Sequence, residues 1–286
     1  MGNATARWDV AVDGGRVAVL GEGSSAGTLV VVPGVMSDAE GWADVVRSLP
    51  DHPSVVVNRR GRPGSSPLGE GYSVAVEVAD LHAVLDAVPG PKDVLGWSYG
   101  GLIATETAVD RDDVRSLLLY EPVAGPFAEH VTDALQAAAR AEDLDRLVEI
   151  VNVEIAGYGR DHVRALRELP AWSHLRTLAR PMAAEHAALN AFAPSYARYR
   201  DLEVPVGILA GTLSAAPGAP YADAVARFVA ALPQARLRWM EGLSHLAHVE
   251  APAALADHVR TVHEQLRSES KPTAQSMSLT DRSGTP

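Results

Sequence analysis

The 286-residue chain contains no cysteine, which excludes disulfides, thiolate catalysis and cysteine-ligated metal sites. Lysine is almost absent as well, since only Lys92 and Lys271 occur, and the formal net charge is −11. A protein that binds nucleic acid needs a positively charged face for the phosphates, so this charge balance disfavours such a partner. What the chain does contain, 47% hydrophobic and 21% charged residues, is typical of a globular protein with a sizeable core.

The sequence also lacks the apolar run of roughly 20 residues that a membrane-spanning helix needs. Its first residues show no basic segment followed by an apolar one, as a secretory signal peptide would. We therefore expect a cytoplasmic protein without a membrane partner, and the composition leaves the oligomeric state open. Neither H-E-x-x-H, nor a P-loop, nor a G-x-G-x-x-G segment after a strand occurs, so we expect no metal and no nucleotide cofactor.

Short β-branched runs alternate with segments of helical periodicity along most of the chain. Trp8 to Val12 and Arg16 to Leu20 flank a Gly-Gly turn and predict a β-hairpin. This order predicts a mostly parallel, eight-stranded α/β sheet with helices on both faces and an antiparallel hairpin at its start. The six further strands are predicted at residues 28–32, 54–57, 93–95, 115–120, 204–210 and 236–240.

The strand signal vanishes between about residues 126 and 200. Phe127, Val131 and Leu135 have the spacing of one helix face, two further stretches repeat it, and prolines at 170, 181 and 194 punctuate the rest. We predict an all-helical cap inserted after the sixth strand. The expected organisation is a core of residues 1–124 and 201–267, a cap of residues 125–200, and a disordered polar tail of residues 268–286.

A serine stands between glycines at a predicted strand-to-helix junction. The G-x-S-x-G segment at residues 96–100 follows the strand 93–95 and precedes a helical stretch, the context that this motif requires. A sharp turn strains its central residue, and flanking glycines relieve the close approach of neighbouring backbone. The turn would present the Ser98 hydroxyl clear of the sheet, beside unpaired N–H groups of the helix. A plain glycine-rich turn explains neither these flanking elements nor the additional Gly101.

These segments resemble the α/β-hydrolase fold family, in its serine-nucleophile branch with a helical cap. The resemblance covers roughly residues 7–124 and 201–267. Besides the serine turn, it rests on Pro33-Gly34 after the third strand, where the family usually has His-Gly, and on three segments. These segments read NRRGRPGSS, VPVGILAG and EGLSHLAHVEAP. Together they are specific to the superfamily, but they do not determine the substrate.

A serine hydroxyl is hardly ionised near neutral pH, so it needs a base within hydrogen-bond reach. The resemblance assigns this role to His245, which follows the predicted strand 236–240, and it leaves the nearby His248 as a structural residue. The resemblance also implies an oxyanion hole made by the backbone N–H groups of Val35 and Tyr99. Backbone donors tolerate these side chains, since only proline lacks the N–H.

The acid of the expected triad departs from the family pattern. Members most often carry an aspartate as the last residue of a G-x-x-D stretch after the seventh strand, but this chain has Ser214 there. Serine cannot supply the negative charge that orients and stabilises the imidazole. Some members place their acid after the strand that follows the nucleophile helix, so we expect Glu121 to take the role, with Asp223 as a second candidate. Without either, the site would work as a dyad.

The function expected from these residues is that of a cofactor-independent serine hydrolase. It would cleave an ester, lactone, thioester or similar acyl bond of a small apolar organic substrate through an acyl-enzyme, with Met36 and Trp97 lining the pocket or belonging to the core. Two alternatives remain. One is a tailoring enzyme of secondary metabolism that uses the site for acyl transfer, cyclisation or elimination. The other is a non-catalytic small-ligand receptor, against which the presence of both Ser98 and His245 argues.

Overall fold

Eight strands form one mixed sheet in residues 6–215 and 219–269, the part of the chain that the structure, a computed structural model, describes. The order across the sheet is β1-β2-β4-β3-β5-β6-β7-β8, antiparallel at β1-β2 and β2-β4 and parallel elsewhere. The predicted fold class is therefore confirmed. The strands are β1 (Arg7–Val12), β2 (Gly15–Gly21), β3 (Thr28–Val32), β4 (Ser54–Asn58), β5 (Lys92–Trp97), β6 (Val114–Tyr120), β7 (Val206–Gly211) and β8 (Arg236–Met240).

Helices cover both faces of the sheet, which is why β3, β4, β5 and β7 are buried at every residue. Leu81, Ile103 and Phe228 belong to the apolar cluster on one face, while Trp42 and Val259 belong to the cluster on the other. The core helices are α1 (Ala43–Arg47), α2 (Val74–Ala87), α3 (Tyr99–Val109), α10 (Pro220–Ala231), α11 (Ala247–Glu250) and α12 (Pro252–Glu269).

Residues 125–200, here called the helical insertion, join β6 to β7. Pro170 and Pro181 lie directly before α7 and α8, so these prolines begin helices rather than merely interrupting them. A π-helical segment, Ile150–Ile155, follows α5. The helices are α4 (Thr132–Arg140), α5 (Leu144–Glu149), α6 (Arg160–Arg167), α7 (Ala171–Ala179), α8 (Met182–Ala191) and α9 (Tyr196–Arg200).

The last helix runs two residues into the segment predicted as a tail, because α12 extends to Glu269. The rest of that predicted tail, residues 270–286, lies outside the described residues. No helix within the described residues combines the length and the apolar composition needed to cross a bilayer.

Candidate active site

Ser98 occupies a strained backbone position at the junction of β5 and α3. Its dihedral angles are φ 56° and ψ −124°, a region that residues with a side chain rarely adopt. Three backbone hydrogen bonds hold it there. The Ser98 N–H donates to the Tyr120 carbonyl at 3.0 Å, and its own carbonyl accepts from Gly101 at 2.9 Å and from Val123 at 3.2 Å. The turn is therefore tied to the adjacent strand β6.

Glycines beside Ser98 allow the backbone of the β3 loop to approach closely. A Cβ atom on Gly100 would lie 2.1 Å from the Val32 carbonyl oxygen, and one on Gly34 would lie 2.7 Å from the Ser98 Cβ. Real Cβ atoms do not approach other atoms so closely, so each contact requires glycine. The motif thus brings the loop after β3 against the turn that carries Ser98.

His245 and Glu121 form a buried pair, although 124 residues separate them in sequence. The distance between His245 Nδ1 and Glu121 Oε2 is 2.7 Å, and the Glu121 side chain is 1% exposed. Its second oxygen, Oε1, accepts the Gly211 N–H at 2.7 Å. A carboxylate that accepts from Nδ1–H leaves Nε2 free to act as a base. The pair thus has the arrangement expected of the base and acid of a triad.

The last residue of β7, Gly211, supplies a backbone donor to this pair. Strands β6 and β7 are paired in parallel, with Tyr120 beside Leu209, so Glu121 and Gly211 lie at the same edge of the sheet. The Glu121 side chain therefore reaches from the end of β6 to the end of β7, where it accepts the Gly211 N–H. Asp223, the second candidate, is exposed in the first turn of α10.

Aromatic side chains hold the loop that carries His245. Trp97 Nε1 donates to the His245 carbonyl at 3.0 Å, and the Tyr120 hydroxyl donates to the carbonyl of Ser244. The Tyr221 ring stacks on the imidazole with its centroid 3.8 Å away. Trp97 lines the cavity described below and also packs in the core at 3% exposure. The roles of Tyr120 and Tyr221 had no signal in the sequence, because both depend on long-range packing.

The expected oxyanion donors lie beside the serine. Val35 and Tyr99 line the same cavity as Ser98, and so does Met36. Tyr99 is the first residue of α3, where the N–H has no acceptor within the helix. Met36 has φ 51°, so the loop after β3 is itself strained next to the site.

A cavity of about 400 Å³ lies between the sheet edge and the helical insertion and contains Ser98 and His245. In the described part of the chain, no arginine or lysine lines it. Burial lowers the pKa of His248 to about 3, with a further contribution from His245, and burial also lowers the pKa of His186. The apolar side chains that the insertion contributes to the cavity wall include Val151, Ile155, Leu166, Leu169, Leu175, Met182 and Leu189.

Two further features occur among the described residues. A larger, more open depression of about 1110 Å³ lies at the opposite edge of the sheet, and none of the residues discussed above lines it. Asp38, Glu40 and His174 bring possible metal-ligand atoms within 4.8 Å of one another. The Asp38 carboxylate already pairs with His174 at 2.9 Å and accepts the Gly41 N–H at 3.1 Å.

Comparison with known proteins agrees with the fold. Residues 29–258 match the profile of the alpha/beta hydrolase family. The chain belongs to this family. The hydrolase of Sphaerobacter thermophilus, an α/β hydrolase of known structure, is 25% identical and superposes with a TM-score of 0.71, covering 90% of this chain and 100% of that one.

Two curated relatives of this α/β hydrolase carry functional names. Polyketide synthase ThaQ of Burkholderia thailandensis is 28% identical over 260 residues, which is 85% of this chain and 12% of ThaQ. Lipase LipV of Mycobacterium tuberculosis is 30% identical over 115 residues, which is 38% of this chain and 44% of LipV. The chain therefore spans less than half the length of either relative.

Proposed function

We propose that this α/β hydrolase is a cofactor-independent serine hydrolase that cleaves an ester, lactone or thioester of a small apolar substrate through an acyl-enzyme. One observation carries the proposal. His245, whose Nδ1 lies 2.7 Å from the buried Glu121 carboxylate, lines the same cavity as Ser98, a serine in a strained strand-to-helix turn. Strained backbone persists where the surrounding structure maintains it, and such positions cluster at catalytic centres.

In the proposed mechanism, His245 Nε2 takes the Ser98 proton while Oγ attacks the substrate carbonyl carbon. The oxyanion that forms accepts hydrogen bonds from the N–H groups of Val35 and Tyr99. His245 then donates its proton to the leaving group, and water hydrolyses the acyl-enzyme by the same steps. Glu121 stays ionised throughout, because its role is to hold the Nδ1–H tautomer and to stabilise the imidazolium.

The cavity walls favour an uncharged acyl group. Most wall residues are aliphatic, and the insertion supplies many of them as a cap over Ser98. An anionic substrate would lose its hydration there without meeting a cationic side chain, which is unfavourable. We expect kcat/KM for p-nitrophenyl hexanoate to exceed that for the p-nitrophenyl monoester of adipic acid by at least about tenfold, since burying an unpaired charge costs several kcal/mol.

Labelling with a fluorophosphonate tests the nucleophile directly. We expect the adduct on Ser98 by mass spectrometry, no adduct in Ser98→Ala, and hydrolysis of p-nitrophenyl esters by the wild-type protein only. A folded wild-type protein that is not labelled would contradict the proposal and favour a ligand receptor.

The similarity to part of a polyketide synthase favours one second candidate, an enzyme that transfers or cyclises the acyl group. Such an enzyme would also be labelled at Ser98, but it would release the acyl group to an alcohol or amine rather than to water. Product analysis of an acyl thioester, with and without an added alcohol, separates the two. A product that is the free acid in both reactions supports the hydrolase.

A further inference from the structure

Two buried arginines lie behind the loop that carries the proposed oxyanion donor. Arg59 and Arg62 follow β4, and their side chains are 2% and 0% exposed. Arg59 donates from Nε to the Pro33 carbonyl at 2.8 Å and from Nη2 to the Gly34 carbonyl at 2.8 Å. Arg62 donates from Nη2 to the same Gly34 carbonyl at 3.2 Å and from Nε to the Ser37 carbonyl at 2.9 Å. One carbonyl oxygen thus accepts from two cations.

That carbonyl belongs to the peptide whose N–H is the Val35 donor. In a trans peptide the C=O and the N–H point in opposite directions. Anchoring the Gly34 oxygen on the arginine side therefore directs the Val35 N–H to the other side, away from the guanidinium groups. A rotation of this peptide would break two charge-assisted hydrogen bonds and leave both guanidinium groups without that acceptor. Arg59 also lies over the ring of Tyr99, the second donor residue, with its Cζ 5.1 Å from the centroid.

Glu185 connects both arginines to the helical insertion. It lies on α8 and is fully buried, with Oε1 at 2.8 Å from Arg59 Nη2 and 2.9 Å from Arg62 Nη2. Its Oε2 is 3.1 Å from Arg62 Nη2. Met182 and Leu189 of the same helix line the cavity. Helix α8 therefore lines the cavity and is also bonded, through Glu185, to the two arginines that hold the Gly34–Val35 peptide.

We propose that Arg59 and Arg62 are positioning residues that set the orientation of the Gly34–Val35 peptide, and that Glu185 makes this orientation depend on the position of α8. The inference rests on the proposed serine-hydrolase function. Each guanidinium fork bonds loop carbonyls and a carboxylate from different nitrogens in fixed directions, whereas a lysine offers all its donors from one nitrogen. Arg59 uses its remaining nitrogen, Nη1, for Glu77 at 2.6 Å.

The test is the double variant Arg62→Gln/Glu185→Gln, which removes both members of the buried pair so that neither charge is left unpaired. Its matched control is Arg60→Gln/Asp80→Asn. That pair is also buried, and Arg60 belongs to the same loop as Arg62, but its side chain bonds Asp80 of α2 and the Asp13 carbonyl instead of the loop after β3. Both variants are assayed with p-nitrophenyl butyrate and with a trifluoromethyl ketone. Ser98 Oγ adds to this ketone, its proton passes to His245, and the carbonyl oxygen becomes an oxyanion.

A positioning role predicts that kcat and the inhibition constant change while KM does not. In Arg62→Gln/Glu185→Gln we expect kcat to fall about 10- to 100-fold, because misorienting one donor approaches the effect of deleting it. The inhibition constant of the trifluoromethyl ketone should rise by the same factor, while KM stays within about twofold, since the ground state makes little use of the donor. The control should keep all three constants within about twofold of the wild type.

Other outcomes overturn the inference in distinguishable ways. A folded double variant with wild-type kcat, or equal losses in the control, would show that Arg62 and Glu185 only support the fold. A wild-type protein that is neither labelled by fluorophosphonate nor active would remove the proposed function itself. If the double variant does not fold, Arg62→Lys is the second test. It keeps the charge beside Glu185 but cannot span the Gly34 and Ser37 carbonyls, so kcat should fall and the inhibition constant should rise while KM stays unchanged. Unchanged kcat in Arg62→Lys would then contradict the inference.

Discussion

At the scale of single residues, Glu121 combines an unusual backbone conformation with a buried carboxylate that contacts His245. Glu121 has φ 41°, a left-handed conformation that is uncommon for a residue with a side chain. Its carboxylate is held between the His245 imidazole and the Gly211 N–H. The backbone strain is thus maintained by two hydrogen bonds to other elements, and this preorganises the carboxylate toward the imidazole.

Replacing Glu121 by glutamine keeps the shape of the side chain but removes its charge. We expect kcat for p-nitrophenyl butyrate to fall by about 10³- to 10⁴-fold, because an amide neither holds the Nδ1–H tautomer nor stabilises the imidazolium. Steady-state kinetics, normalised by fluorophosphonate titration, measures the effect. Ser214→Ala is the control and should change kcat by less than about twofold, since position 214 provides no charge. A comparable fall in kcat for Ser214→Ala would instead indicate that the loop after β7, and not the charge of Glu121, supports the activity.

His248 is another of the histidines that line the cavity, and its environment keeps it neutral. It stacks on Trp42 with the ring centroids 5.0 Å apart and is 3% exposed. Its pKa is lowered to about 3 by burial and by His245. The unfolded chain binds a proton at this histidine near its ordinary pKa of about 6.5, but the folded protein does not until about pH 3. Stability is therefore lost as the pH falls through this window.

The loss attributable to His248 should be up to about 1.4 kcal/mol of unfolding free energy for each pH unit below about 6.5. Urea unfolding at pH 7.0, 6.0 and 5.0 measures it. His248→Phe keeps an aromatic ring but cannot be protonated. In this variant we expect the unfolding free energy to decline less steeply with falling pH, by this amount. His130→Gln, at an exposed histidine, should leave the decline as it is in the wild type. Equal slopes in the wild type and His248→Phe would refute the assignment.

At the scale of elements, the junction between β5 and α3 shows how close packing overrides local propensity. Two glycines stand in the first turn of α3, although glycine is a poor helix former, and the sequence pattern predicts a helix only from Leu102. The structure begins the helix at Tyr99 because Gly100 contacts the backbone of Val32 and Pro33. Contact between the turn and the β3 loop therefore determines where the helix starts.

Gly100→Ala should destabilise the protein by at least about 2 kcal/mol, because the added Cβ forces the β3 loop away from the helix. We also expect loss of esterase activity in the fraction that folds, since the same loop carries Val35. Chemical denaturation and fluorophosphonate titration measure the two effects. Gly159→Ala is the matched control, since nothing lies within 4 Å of a Cβ there. Its stability should stay within about 1 kcal/mol of the wild type, in line with surface positions.

At the scale of the whole molecule, the cavity exists only because the helical insertion lies over the edge of the sheet. The π-helical segment Ile150–Ile155 contributes Val151, Asn152 and Ile155 to the wall, and Ala156 follows at its end. Such segments occur often at functional sites. The insertion also bonds to the core at the rim, through His174 with Asp38. Substrate size should therefore be set by the insertion more than by the sheet.

Enlarging a side chain of the insertion should shift the preferred acyl length. We expect Ala156→Phe to lower kcat/KM for p-nitrophenyl octanoate at least about tenfold relative to p-nitrophenyl acetate, because overpacking a filled apolar pocket typically costs 1–3 kcal/mol. The ratio of the two kcat/KM values is the readout. Ala141→Phe, at an exposed position of the insertion that does not line the cavity, should leave the ratio unchanged. An unchanged ratio in Ala156→Phe would indicate that acyl chains bind elsewhere.

The sequence by itself determined the order of elements, the helical nature of the insertion and the presence of a serine turn. These are local properties, because hydrophobic periodicity and the glycine spacing are set by neighbouring residues. It also predicted Glu121 and His245 as partners, but only through resemblance to a family. Their side chains are joined in the structure, and the catalytic roles stay predictions.

Only the tertiary structure decided which distant groups meet. The stacking of Tyr221 on His245, the support of the His245 loop by Tyr120 and the link from Glu185 to Arg62 join residues 24 to 124 positions apart. No periodicity in the sequence encodes such contacts, since they depend on which strands end at the same edge of the sheet and on how the insertion packs against the core. The Glu121 carboxylate illustrates this, because the pairing of β6 with β7 lets it accept the N–H of Gly211, 90 residues away in the sequence.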